Sequence, residues 1–178
     1  MHNTTFIIGA CRSGKSRHAL EIARAAGPVP KTFVATCVPQ DEEMRDRVQH
    51  HQQERGTQWR TIEEPIQIAK IIERREPPTQ LILVDCLTLW ISNLMLGDES
   101  EDGVHHHIDT LCAALRKTTI SVIIVSNEVG AGIVPENALA RRFRDLVGRA
   151  NQLVAAACEQ VIWMVAGIPV PIKPKSWR

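Results

Sequence analysis

The sequence predicts an α/β fold with a mostly parallel central sheet flanked by helices, and three observations carry that expectation. Short apolar runs rich in β-branched residues alternate with longer helical patterns, as repeated strand-helix-strand units require. Several of these runs, LILVDC and VIIVS among them, are apolar nearly throughout, which suits strands covered by helices on both faces. The chain has 178 residues, 44% hydrophobic and 23% charged, so it can bury a full core and is too apolar for disorder. Residues 1–178 therefore read as a single domain.

Taken in order, the first strand is expected at Thr5–Gly9 and its helix at Gly14–Ala26. A second strand, Thr32–Cys37, leads towards a helix at Asp41–Arg55 that opens with acidic residues, which favour a helix N-terminus. A helix is read at Pro65–Arg74 and an apolar strand at Leu81–Cys86. The acidic, turn-rich stretch Gly97–Gly103 reads as a loop before an amphipathic helix at Val104–Lys117. Val122–Ser126 is the next strand. The loop Glu128–Pro135 then carries two glycines and a proline placed to start the helix Glu136–Glu159. Val161–Val165 is the last expected strand, and neither an internal repeat nor an interdomain linker stands out.

Charge narrows the function. Lys plus Arg number 21 and Asp plus Glu 20, so no global field draws in nucleic acid or an anionic membrane. There is no Tyr and there are only three Phe, which leaves few platforms for stacking bases. No nucleic-acid partner is expected. Cys11, Cys37, Cys86, Cys112 and Cys158 are scattered without a CxxC pair, so free cytosolic thiols are expected rather than a metal knuckle or redox motif. The N-terminus MHNTTFIIGA lacks the basic and apolar regions of a secretory leader, and no apolar run is long enough to span a bilayer. The expected location is cytoplasmic.

Residues 9–16 read GACRSGKS, a full match to GxxxxGK[ST] between an apolar strand and a helical pattern. Gly9 and Gly14 permit a tight backbone path whose N–H groups, from Ala10, Cys11, Arg12 and Ser13 onward, can surround phosphate oxygens at a helix N-terminus. In such a loop Lys15 reaches the β and γ phosphates and the Ser16 hydroxyl holds Mg²⁺. A second metal-directed acid is expected at the end of a neighbouring apolar strand, where LILVDC supplies Asp85. An aspartate ending a strand is also a common helix cap or turn residue.

The segment DEEMRDRVQHHQQERG carries adjacent histidines. At 100° per residue His51 falls within about 20° of Met44, on the stripe that also holds Val48, while His50 lies about 120° away with Glu43 and Arg47. His51 thus reads as a packing or orienting residue and His50 as an open one. Neutral imidazole attacks phosphorus without a separate base, because its ordinary pKa is about 6.5. Spacing alone leaves a solvated helix-surface histidine equally open. His105–His107 opens an amphipathic helix after an acidic loop and reads as surface rather than as a metal site.

GACRSGKSRHAL, VATCVPQDEEMRDRVQHHQQERGTQWRTIEE, LILVDCLTLWISNLM and the stretch from SNEVGAGIVPEN to VPIK together resemble one family nearly end to end. It is the bifunctional adenosylcobinamide kinase and adenosylcobinamide-phosphate guanylyltransferase family of cobalamin biosynthesis. The resemblance implies a RecA-type P-loop NTPase fold, a homotrimer, and ATP, GTP and Mg²⁺ as cofactors. It implies phosphorylation of adenosylcobinamide, then transfer of GMP to adenosylcobinamide phosphate through a guanylyl-histidine, which maps to His50. It also maps nucleotide contacts to Gly9–Ser16, to Ala35, Thr36 and Cys37, to His51, Gln52, Gln53 and Glu54, and to Glu63 and Asp85.

Two other readings stay open on the residues alone. One is a single-step P-loop kinase of another small metabolite, with His50 structural and Arg141, Arg142 and Arg144 closing over phosphates. The other is a nucleotide-gated binding module, against which the near-neutral charge, sparse aromatics and lack of an NKxD-type motif count.

Overall fold

The computed structural model describes residues 3–38, 42, 59–74, 78–97 and 100–174. Its strands are β1 (Thr4–Gly9), β2 (Lys31–Ala35), β3 (Trp59–Glu63), β4 (Leu81–Asp85), β5 (Ser121–Asn127), β6 (Gln160–Val165) and β7 (Ile168–Lys173). They form one sheet in the order β3-β2-β4-β5-β1-β6-β7. Every neighbouring pair is parallel except β6 and β7. The described helices are α1 (Lys15–Ala25), α2 (Ile68–Arg74), α3 (Leu87–Leu96), α4 (Glu101–Lys117) and α5 (Ala138–Ala157).

Alternation along the strands splits the apolar residues between two faces. Phe6, Val34, Ile82, Val84, Val122 and Ile124 pack in one cluster with apolar residues of α2, α3, α4 and α5. Their sequence neighbours Ile7, Phe33, Leu83, Ile123 and Val125 pack in a second cluster with Ala19, Leu20 and Ala23 of α1. Both faces of the inner strands are thus covered, which is why their sequences show almost no polar positions.

The expected strands are all present, with ends shifted by one or two residues. The differences lie elsewhere and each has a physical cause. β3 was not expected: its sequence WRTIE is largely polar because it is an edge strand with Arg60, Thr61 and Glu63 exposed. β7, IPVPIK, was hidden by two prolines, which an edge strand tolerates. It follows β6 through Ala166 and Gly167, whose φ angles of 50° and 83° suit a two-residue hairpin turn. α3 was missed because LTLWISNLML is apolar almost all round, with Leu87, Trp90, Ile91 and Leu94 fully buried, so it shows no amphipathic stripe.

Two helix starts also correct the sequence reading. The stretch Gly97–Gly103 is not loop throughout, since α4 begins at Glu101. The Ser100 hydroxyl accepts the Gly103 N–H at 3.1 Å, and Glu101 and Asp102 occupy the first turn, where the helix dipole favours them. Nor does Pro135 start α5, which begins at Ala138 with the Asn137 side chain accepting the Ala140 N–H at 3.1 Å. α2 starts at Ile68 rather than Pro65, because Glu64 Oε1 accepts N–H groups from Ile66 and Gln67 at 3.0 and 2.8 Å and holds a turn there. The helix expected at Asp41–Arg55 falls almost entirely outside the described residues, and His50, His51, Gln52, Gln53 and Glu54 all do.

Candidate functional site

The remaining site residues gather along one edge of the sheet, where the parallel strands end. Gly9 closes β1, Asp85 closes β4, Ala35 closes β2 and Glu63 closes β3. Ala35 is in register with Asp85 on one side and with Glu63 on the other. Open α/β sheets place ligands at this edge.

The loop from β1 to α1 is held from below and beside. Gly9 admits no side chain, since a Cβ there would lie 2.6 Å from the Met164 carbonyl oxygen and 2.7 Å from Ser13 Oγ. The Gly167 N–H, in the β6–β7 turn, donates to the Ser13 carbonyl at 3.1 Å and so braces the loop from outside. Gly14 sits at φ 91° and Arg12 at φ 54°, the left-handed turns that let the loop double back onto the helix start. Ala10 and Cys11 lie at its exposed rim, while Ser13 and Lys15 are buried.

Lys15 Nζ donates to the Ala10 carbonyl at 2.6 Å and lies 3.4 Å from Ser13 Oγ, inside the curve of the loop. Burial holds its ammonium below the ordinary lysine pKa, with nearby Cys11, Asp85 and Cys86 pulling the other way. The Ser16 hydroxyl donates to Asp85 Oδ2 at 2.8 Å. The two residues stand 69 positions apart in the chain, and β5 lies between their strands' positions in the sheet. A hydroxyl, a carboxylate and a buried ammonium therefore converge beside a cradle of backbone N–H groups, an arrangement able to hold a polyphosphate and a hard cation.

The end of β2 is locked to the end of β4. Thr36 is fully buried; its hydroxyl accepts the Cys86 N–H at 2.7 Å and donates to the Cys86 carbonyl at 2.8 Å. Its carbonyl accepts from Asn93 Nδ2 at 2.7 Å, and its N–H donates to Asp85 O at 3.2 Å. Thr36 thus shapes the edge rather than offering an open side chain, whereas Ala35 and Cys37 flank it and are half-buried. Cys86 is buried too, which pushes its thiol up to about 12, with Asp85 adding to the shift. Among the described residues no cysteine forms a disulfide, as the scattered spacing led one to expect.

Sequence reasoning missed the polar network behind this edge. Ser126 Oγ donates to Asn151 Oδ1 at 2.7 Å, and Asn151 Nδ2 donates to the Asn127 carbonyl at 3.1 Å. The Asn127 N–H donates to Thr88 Oγ1 at 2.8 Å. The available signal was Asn151, a polar residue on the otherwise apolar buried face of α5. Two of the arginines considered for a lid are engaged elsewhere. Arg141 Nη1 donates to the Pro135 carbonyl at 3.0 Å, and Arg142 pairs with Glu101 at 3.8 Å.

A phosphate loop after an inner parallel strand, with its partner aspartate one strand removed, defines a RecA-like P-loop NTPase. The fold is similar to that of the RadB recombinase, with TM-score 0.53 and 15% identity over 90% of this chain and 73% of that one. It is similar also to a second solved ATPase domain, with TM-score 0.52 and 12% identity over 91% and 69%. Within that class, residues 5–172 match the family model described as cobinamide kinase / cobinamide phosphate guanyltransferase, and the chain belongs to this family. Relatives named bifunctional adenosylcobalamin biosynthesis protein agree. CobU of Escherichia coli strain K12 is 38% identical over 94% of this chain and 98% of its own length. CobP of Pseudomonas aeruginosa PAO1 is 40% identical over 94% and 95%, and CobU of Salmonella typhimurium LT2 41% over 94% and 98%. The family joins a kinase to a nucleotidyltransferase. Among the described residues no helix is long and apolar enough to cross a membrane.

Proposed function

We propose that the chain transfers the γ-phosphoryl group of ATP or GTP to the hydroxyl of the aminopropanol arm of adenosylcobinamide. It then transfers GMP from GTP to the resulting phosphate, releasing pyrophosphate and giving adenosylcobinamide-GDP. The observation that carries this reading is the 2.8 Å bond from Ser16 to Asp85 at the mouth of the phosphate loop, in a chain that matches the family over residues 5–172.

In the first step the loop from Gly9 to Ser16 surrounds the triphosphate and Lys15 meets its developing charge. Positioning and electrostatics supply nearly all catalysis of such transfers. Ser16 and Asp85 suit Mg²⁺, being hard oxygen donors at adjacent points, and this ion prefers few protein ligands beside phosphate oxygens and water. When bound there it would neutralise charge on the triphosphate. Ala35, Cys37 and Glu63, with His51, Gln52, Gln53 and Glu54, are the further nucleotide contacts, and Thr36 contributes through the edge it fixes.

In the second step the imidazole of His50 attacks the α-phosphorus of GTP, the bond to pyrophosphate breaks, and GMP is held on the histidine. The phosphate of adenosylcobinamide phosphate then displaces the histidine. The working assembly is a homotrimer in the cytoplasm. The single-step kinase reading is weaker, because it needs an arginine lid and Arg141 and Arg142 are held by the chain's own carbonyls and Glu101.

The test is incubation with α-labelled GTP, then denaturing electrophoresis, with chromatography of the corrinoid products. Wild type should carry an acid-labile, alkali-stable label. His50→Ala should lose the label yet still make adenosylcobinamide phosphate, whereas His51→Ala should keep part of the label. Adenosylcobinamide-GDP formed by His50→Ala would refute the covalent route.

A further inference from the structure

Phosphorylating an alcohol releases a proton, and the groups placed so far offer it no destination. Lys15 is a cation, and Asp85 accepts from Ser16. One further carboxylate stands at the same edge. Glu128 directly follows β5, which lies between the strand that feeds the phosphate loop and the strand that ends in Asp85. Asn127 is in register with Gly9, so Glu128 sits one step past the first residue of the loop. Its N–H donates to the Gly9 carbonyl at 3.0 Å.

The backbone leading to it is pinned from three elements. β1 holds Glu128 through Gly9, α3 holds Asn127 through Thr88, and α5 holds Asn127 and Ser126 through Asn151. The side chain is oriented as well: Oε1 accepts the Gly130 N–H at 2.7 Å. A Cβ on Gly130 would lie 2.9 Å from that oxygen, so the glycine makes room for the carboxylate. This leaves Oε2 of a half-buried, preorganised carboxylate at the mouth.

We propose that Glu128 is the general base of the kinase step, an inference that rests on the function proposed above. Its carboxylate takes the proton of the arm's hydroxyl as that oxygen bonds to the γ-phosphorus. The bond from the γ-phosphorus to the bridging oxygen breaks, ADP or GDP leaves, and the proton passes from Glu128 to water. Guanylylation needs no such base, since imidazole and a phosphate monoester are already nucleophiles near neutral pH.

The experiment measures phosphorylation of adenosylcobinamide with ATP, and labelling of the protein by α-labelled GTP, in wild type and Glu128→Gln. Glutamine keeps a carbonyl oxygen for the Gly130 N–H, so the loop keeps its bond while the basic oxygen is lost. The kcat of phosphorylation should fall about a hundredfold, with a far smaller change in protein labelling and in KM for ATP. The fall of wild-type kcat towards acid pH should be absent from the variant. Wild-type kcat and pH profile in Glu128→Gln would overturn the proposal, and so would equal losses of phosphorylation and labelling, which mark a loop-shaping role. A wild-type protein that labels with GMP but leaves adenosylcobinamide unphosphorylated would refute the kinase reading itself, and with it the base.

Discussion

β1 and β5 are neighbours in register, and both lead into helices at the same edge of the sheet, yet their connections are built differently. Residues 10–14 turn from β1 into α1 around buried Ser13 and Lys15, with left-handed turns at Arg12 and Gly14. Residues 128–137 run from β5 to α5 over the surface, with Ile133 96% and Val134 58% exposed. The second loop is held at its ends, by Glu128 on Gly9 and by Asn137 and Arg141 near the helix start. A triphosphate has one fixed shape to match, and the first loop meets it with backbone. The second loop borders the side from which a bulky second substrate must reach the γ-phosphate, and its middle is left free to move aside.

The largest effect should come from removing the charge inside the tight loop. Lys15→Ala should cost about 3 kcal/mol of transition-state stabilisation in each step that uses the loop, on the scale of losing one preorganised donor. Rates of both steps, measured separately, check this. Near-normal rates would erase the functional contrast between the two connections.

Gly9→Ala should come next. The added methyl would meet the Met164 carbonyl at 2.6 Å, a backbone atom of β6 that cannot rotate away, so a stability loss of about 1–3 kcal/mol is expected together with weaker nucleotide binding. Urea unfolding and ATP titration read the two parts. A variant of unchanged stability would mean that the loop is less rigid than its contacts imply.

The same contrast explains what could be read from the sequence. The tight loop was legible because its requirements are local: glycines where a Cβ would clash, and a lysine and serine at fixed spacing before a helix. Asp85 was legible because an acid ending an apolar run is conspicuous. What stayed hidden is long-range. The register that sets Ala35 between Asp85 and Glu63, and Asn127 beside Gly9, depends on strand order, which no local pattern encodes. The loop from Glu128 was noticed for its glycines, but its carboxylate gains significance only through that register. β3 and β7 were hidden for a related reason, since edge strands need no apolar alternation to be held in place. The histidine helix lies outside the described residues, so its two faces rest on helical periodicity and the family resemblance.

At the far end of the open loop, Asn137→Ala removes the side chain that accepts the Ala140 N–H. A loss of about 1 kcal/mol is expected, the ordinary worth of such a cap, where Pro135 in the sequence suggested a proline start instead. Thermal unfolding of the variant beside wild type measures it. No loss at all would place the helix start elsewhere.

The smallest effect on stability should come from Ile133, and it sharpens the comparison most. With 96% of its surface exposed, Ile133 contributes almost no burial, so Ile133→Ser should change stability by less than about 0.5 kcal/mol. An exposed β-branched residue in the middle of a loop beside a catalytic edge still has an apolar face to offer a large second substrate. If the open loop serves that substrate and the tight loop serves nucleotide, Ile133→Ser should raise KM for adenosylcobinamide and leave KM for ATP unchanged, with melting temperature as the control. A rise in KM for ATP of similar size would join the two loops into one nucleotide site and end the division of labour drawn between β1 and β5.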